Sequence, residues 1–117
     1  MPITRRLLAP LLLLLPGLAL AHHGWGGFDT DRVLDHTGPI ERSSYANPHG
    51  TLFMRREGRE ITVELAPVAR MQTRGLAEAD LQPGRVVRIF AYQNRGNPDV
   101  YRAEWVEPQG GRRVELR

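Results

Sequence analysis

The 117-residue sequence predicts a small, mainly β domain of five strands, with one helix between the third and the fourth. Two patterns predict it. Five segments alternate apolar and polar residues with a period of two, and clusters of Gly, Pro and Asn separate them. One segment, opening at Pro67, carries its apolar residues at helical spacing instead.

The first strand is expected over Val33 to Tyr45, with Gly38 and Pro39 marking a bulge or an edge. Ala46-Asn47-Pro48-His49-Gly50 is a dense turn signal, because Pro fixes φ, Asn tolerates the left-handed region and Gly allows positive φ. Thr51 to Arg56 is the second strand. Glu57-Gly58 closes a tight hairpin into the third, Arg59 to Leu65, where Ile61, Val63 and Leu65 face one way and Thr62 and Glu64 the other. Pro67 suits a first helical turn, Val68 and Met71 share a face, and Gly75 is the stop after Arg74. Leu76 to Leu81 adds a further helical turn. Pro83-Gly84 leads into the fourth strand, Arg85 to Tyr92, with Val87, Ile89 and Ala91 opposed to Val86, Phe90 and Tyr92. After a polar loop from Asn94 to Asp99, Val100 to Val106 is the last strand, with Tyr101, Ala103 and Trp105 on one side; Val114 to Leu116 extends it. Three strands, a helix and two strands is the order of an OB-like barrel, the five-stranded oligonucleotide/oligosaccharide-binding fold. Its rival is a small open antiparallel sheet with one helix across it.

The first 21 residues read as an export signal. Arg5 and Arg6 supply the charged start, Leu7 to Leu20 is an apolar run of 14 residues, and Ala19-Leu20-Ala21 is a small-x-small cleavage triplet. The run is shorter than the ~20 residues that span a bilayer as a helix, so no stable membrane anchor is expected after processing. The sequence then divides into a signal peptide (1–21), a Gly/aromatic arm (22–32) holding Trp25 and Phe28, and the barrel domain (33–117). Removing 1–21 leaves 96 residues, and takes Arg5 and Arg6 from the 16 arginines. The remaining 14 face 13 acidic residues, a balance of +1 that gives no electrostatic case for nucleic acid. An exported chain with no cysteine has neither disulfides nor thiolate chemistry, and its stability comes from burial alone. The expected location is the periplasm.

Cleavage after Ala21 makes His22 the first residue, and a free α-amine and imidazole on one residue can chelate the same ion. A third nitrogen from His23, His36 or His49 completes a T-shaped set, the histidine brace, which suits the tetragonal preference of copper(II). Cleavage after Ala19 or Leu20 puts a histidine third, where amine, two amides and ring bind Cu(II) or Ni(II) in a plane. The metal set is therefore His22, His23 and His49, with His36 a weaker candidate. The bland alternatives are a solvated N-terminal His pair, a turn-capping His49 and a surface His36. Met54 and Met71 could ligate Cu(I), but both lie in apolar patterns and read as core. Tyr92, Tyr101 and Trp105 form a candidate ligand face; with Tyr45 and Trp25 they read equally as core and rim. Arg55, Arg56 and Arg59 flank a hairpin tip and read as a solvated turn. Ser43 and Ser44 lack a nucleophile motif and no carboxylate pair stands out, which argues against hydrolysis. A copper mono-oxygenase also starts with a brace histidine, yet 96 residues leave little room for its substrate face.

The segments Ala21-His22-His23-Gly24-Trp25-Gly26-Gly27-Phe28-Asp29, Tyr45-Ala46-Asn47-Pro48-His49-Gly50, Arg74-Gly75-Leu76 and Leu81-Gln82-Pro83-Gly84 resemble those of an uncharacterised family of small exported proteins of Gram-negative bacteria, a domain of unknown function. The resemblance spans essentially the whole mature chain and implies export and a shared fold. It puts weight on His22-His23 and on the Asn47-Pro48-His49 turn, and it supplies no function. The expected function is a non-enzymatic periplasmic domain that handles copper through the N-terminal histidines, with a periplasmic protein as its partner. The alternative is a metal-free interaction or glycan-binding module using Tyr92, Tyr101 and Trp105.

Overall fold

In the computed structural model, Pro2 and residues 24–117 are described. The rest of the expected signal peptide, with His22 and His23, lies outside the described residues.

Alternation of buried and exposed residues produces a mainly β structure with one short helix. Among the described residues, seven strands form a single sheet: β1 (Phe28–Pro39), β2 (Arg42–Ser44), β3 (Thr51–Arg56), β4 (Arg59–Glu64), β5 (Val86–Asn94), β6 (Val100–Pro108) and β7 (Val114–Glu115). The helix α1 (Val68–Thr73) lies between β4 and β5, followed by a 3-10 turn over Glu78–Leu81. The strands run β1-β5-β6-β4-β3-β2, with β7 added beside β6. Every ladder is antiparallel except β4 with β6.

The five expected strands thus become seven, and the hydrogen-bonded path is open, with no ladder pairing β1 to β2. One addition is β7, which folds back antiparallel on β6 instead of extending it, and the other comes from a change of partner within the first expected strand. Up to Pro39 it pairs with β5, and from Arg42 it pairs with β3. Ile40 and Glu41 make the switch: the Ile40 amide donates to the Arg85 carbonyl and the Glu41 amide to the Phe53 carbonyl. The strand also begins earlier than Val33, at Phe28, where the side chain is buried. Thr30, Asp31 and Arg32 bulge out of its ladder, since Asp29 faces Gln93 while Val33 already faces Tyr92.

The core gathers inward-facing residues from every long strand: Leu34 of β1, Leu52 and Met54 of β3, Ile61 and Val63 of β4, Val87, Ile89 and Ala91 of β5, and Tyr101, Ala103 and Val106 of β6. Fully burying a side chain such as Leu, Met or Val contributes about 1.5–3 kcal/mol each, and no disulfide supplements it. Met54 and Met71 are both wholly buried in this core. Local turn chemistry sets the connections. Glu57 and Gly58 both have positive φ, 51° and 77°, as a two-residue hairpin turn whose twist matches its strands requires. Gly75, at φ 86°, ends α1, with the Leu76 amide returning to the Met71 carbonyl. Among the described residues no helix is long and apolar enough to cross a membrane.

Gly50 plays a different part from the one its turn sequence suggests. Its φ is not positive; what it supplies is space. A Cβ there would lie 2.7 Å from Met71 Cε and 3.3 Å from Leu65 Cδ1, both in the core. Gly50→Ala is therefore expected to cost about 1–3 kcal/mol through overpacking, because the end of the Met71 side chain must shift within the buried core and Leu65 lies close as well. Thermal unfolding checks it: each kcal/mol lowers the midpoint by roughly 4–8 °C in a domain of this size. An unchanged midpoint would show that α1 does not press on Gly50.

Candidate functional site

The turn between β2 and β3 is fixed to the segment that leads into α1. The Gly50 amide donates to the Ala66 carbonyl and the Gly50 carbonyl accepts from the Leu65 amide, at 2.9 and 2.8 Å. Asn47 Oδ1 accepts from the Val68 amide at 3.3 Å, satisfying a donor in the first turn of α1 that Pro67 has no side chain to cap. Tyr45 donates its hydroxyl to the Leu76 carbonyl at 2.6 Å. Burial, and then the nearby Glu78 and Asp80 carboxylates, push the Tyr45 pKa up and keep it a donor. The Asn47–Pro48 peptide within this turn is cis.

These contacts hold His49, which is half-buried, in a defined orientation. Its Nδ1 lies 2.9 Å from the Gly50 carbonyl oxygen and 3.4 Å from Thr51 Oγ1. A carbonyl can only accept, so Nδ1 carries the proton and the lone pair resides on Nε2. That is the tautomer of a metal-binding histidine whose second nitrogen is anchored to the backbone. His49 borders a cleft of about 240 Å³, whose other walls are Pro48, Pro67, Arg70 and Arg102.

Arg102 projects from β6 and is only 7 % exposed. Burial lowers its pKa, Glu64 raises it, and Arg70 and Arg117 lower it further. It remains a cation, as a guanidinium does in any protein setting. Its Nη1 stands 3.5 Å from the Gly24 carbonyl, and its guanidinium lies 4.7 Å from the ring centre of Trp25. The Arg117 guanidinium also lies 4.7 Å from that ring centre, and Tyr92 meets the same ring edge-on at 6.0 Å. Trp25, in the 3-10 turn Trp25–Gly27, thereby pins the beginning of the described chain beside the His49 cleft.

Tyr92, Tyr101 and Trp105 do not share a face. Tyr101 points into the core, whereas Tyr92 and Trp105 lie on the opposite side of the sheet. A bulge separates them: Phe90 pairs with Trp105, but Ala91 pairs with Ala103, so Glu104 is an extra residue. One inserted residue turns every later side chain over. Trp105 consequently stacks on Phe90 at 5.5 Å and sits under Arg113 and Arg88, at 4.4 and 5.3 Å, instead of joining Tyr101.

His36 is on β1, away from His49 in the chain. Its Nε2 is buried with no hydrogen-bond partner among the described residues. Among the described residues no group of three or more His, Cys, Asp or Glu side chains is gathered to hold a metal ion. The hairpin arginines form exposed ion pairs, Arg55 with Glu41 at 2.8 Å and Arg59 with Asp99 at 2.6 Å, which contribute little to stability. Arg70 and Arg102 are the site residues that the sequence reading missed; Arg102 lies in a strand that also carries Glu104 and Glu107, so its charge gave no distinct signal.

Fold and site together define a small mainly β domain with one backbone-anchored histidine at a basic cleft. The chain belongs to a family of unknown function, DUF6152, whose model matches residues 11–108. No curated protein matches it.

Trp25→Ala is expected to destabilise the domain by about 1–2 kcal/mol, since two guanidinium–ring contacts are lost and one involves a buried cation. It should also speed proteolysis at Gly26-Gly27. An unchanged cleavage rate would show that the clasp does not hold the arm.

Proposed function

We propose that this is a non-enzymatic, exported metal-binding domain that handles copper in the periplasm. His22 supplies its amine and ring, His23 a further ring, and His49 Nε2 the nitrogen from the folded domain. One observation carries this reading: the Gly24 carbonyl rests against the guanidinium of Arg102, which lines the same cleft as His49. His22 precedes Gly24 by two residues, a tether of about 7 Å when extended. The Nδ1–carbonyl anchor of His49 adds support, because it leaves Nε2 as the ligating atom.

The domain is a rolled OB-like barrel in this reading. Three features support it. The sheet's two end strands, β1 and β2, are successive parts of one stretch of chain. Counted as one, they put α1 between the third and fourth strands, as the OB order requires. The β1 strand also contacts β3 across the interior. A rigid barrel with a short N-terminal metal site suits transfer of the ion to a periplasmic protein partner better than chemistry on a substrate. The histidine arrangement is what the family resemblance stresses at both ends of the site.

The test is Cu(II) titration of protein purified from the periplasm, with its mass recorded to fix the mature N-terminus. One tight equivalent is expected, weakened at least tenfold by His22→Ala/His23→Ala and less by His49→Gln. Equal affinity in the double variant would contradict the metal reading and leave the metal-free module.

A further inference from the structure

We infer that the mouth framed by the start of β1, the β3–β4 hairpin and the β5–β6 loop binds a small monocarboxylic acid, its carboxylate held by Arg56 and the hydroxyl of Tyr101. The Gly50 end of β3 is covered by α1, through Met71. At the hairpin end, two adjoining hollows of about 170 Å³ each share Arg56, Gln93 and Tyr101. Such mouths, where strand ends meet loops, are common places for small-molecule sites. No lining residue belongs to the His49 cleft, so this site does not depend on the metal reading.

Gln93 fixes what Tyr101 can do. A carbonyl only accepts, so the 3.0 Å bond to the Pro98 carbonyl identifies Gln93 Nε2 as the donor, and Gln93 Oε1 accepts from Arg32 at 3.3 Å. The same Nε2 donates to the Tyr101 hydroxyl oxygen at 3.4 Å. The phenol proton is thereby turned away from Gln93, and it has no acceptor among the described residues. Tyr101 is 4 % exposed, so this donor stands on the floor of the mouth, where an unmatched hydrogen bond is costly. Arg56 is the second donor. Its one ion pair among the described residues is with Glu57, at 3.8 Å, beyond hydrogen-bond reach, and the Glu57 side chain is 79 % exposed.

The surroundings select the ligand. The planar fork of a guanidinium matches the two oxygens of a carboxylate. Glu57 and Asp99 also line the mouth and repel a multiply charged anion, which favours a single carboxylate over phosphate. Val33, 48 % exposed, and Leu34 line one hollow, and Ile61 and Pro98 the other. A short hydrocarbon body covers either apolar wall. The occupant is therefore a monocarboxylic acid with a small branched or cyclic carbon skeleton.

The experiment uses the mature protein, dialysed against a chelator so that no bound copper captures the acid. NMR follows the Arg56 Nε–H and Tyr101 ring signals while isovalerate is added at constant ionic strength; isovaleramide and inorganic phosphate are titrated separately. Saturable shifts with isovalerate are expected, with the amide and phosphate at least tenfold weaker. Arg56→Gln, at a surface position, should weaken isovalerate about tenfold or more, and Arg56→Lys, which keeps the charge and loses the fork, by less. Tyr101→Phe keeps the ring in the core and should weaken it roughly threefold to tenfold, the loss of one hydrogen bond. Absence of saturation, equal binding of the amide or of phosphate, or unaltered isovalerate affinity in Arg56→Gln or in Tyr101→Phe would each overturn the proposal. None of these outcomes bears on the copper titration.

Discussion

A single stretch of chain, Phe28 to Ser44, must serve both ends of the sheet. It pairs with β5 along its first part and with β3 along its last, and the change of partner is confined to Ile40 and Glu41. Ile40 secures the switch twice, since its amide donates to Arg85 and its carbonyl accepts from Gly84 at 2.7 Å. Ile40 itself is 2 % exposed, so the bend is also packed from within. The domain has one core and no disulfide, and this switch brings the two ends of the sheet onto the same apolar interior.

That constraint leaves one end of the interior to be covered by α1 and the 3-10 turn, through Met71, Leu76 and Leu81. The turn from Tyr45 to Gly50 fastens this cover. Asn47 caps the helix start, Tyr45 reaches the Leu76 carbonyl, and Gly50 admits Met71. Each of these residues has a structural task that explains its identity. His49 sits among them, its ring oriented by the bond from Nδ1 to the Gly50 carbonyl. It stands at the border of a cleft whose remaining walls are two arginines and two prolines.

Where the sequence carries local chemistry, the structure could be read from it directly. β3 and β4 match their period-two patterns almost residue for residue, Glu57-Gly58 makes the hairpin, and Gly75 ends α1. What was not legible depends on register. Glu104 is an ordinary residue in an ordinary strand, and nothing in the pattern reveals that it is the one left out of the ladder. Its insertion moves Trp105 to the face of Phe90 and Tyr92, and so dissolves the aromatic trio that simple alternation suggests. The bulge at Thr30, Asp31 and Arg32 hides the start of β1 in the same way. At the candidate site, His49 stood out by residue type, while Arg70 and Arg102 come from distant segments, α1 and β6, that the fold brings to one cleft. His22 and His23 lie outside the described residues, so their part rests on the tether to Gly24.

The central claim is that the N-terminal histidines and His49 hold the same ion. Pulsed electron paramagnetic resonance of the Cu(II)-loaded mature protein, with its histidine rings labelled with nitrogen-15, counts the imidazoles on the metal. The account predicts that the count falls by one in His49→Gln while the N-terminal amine stays bound. A spectrum identical in the two proteins would contradict it, because the copper would then reside on the N-terminal segment alone.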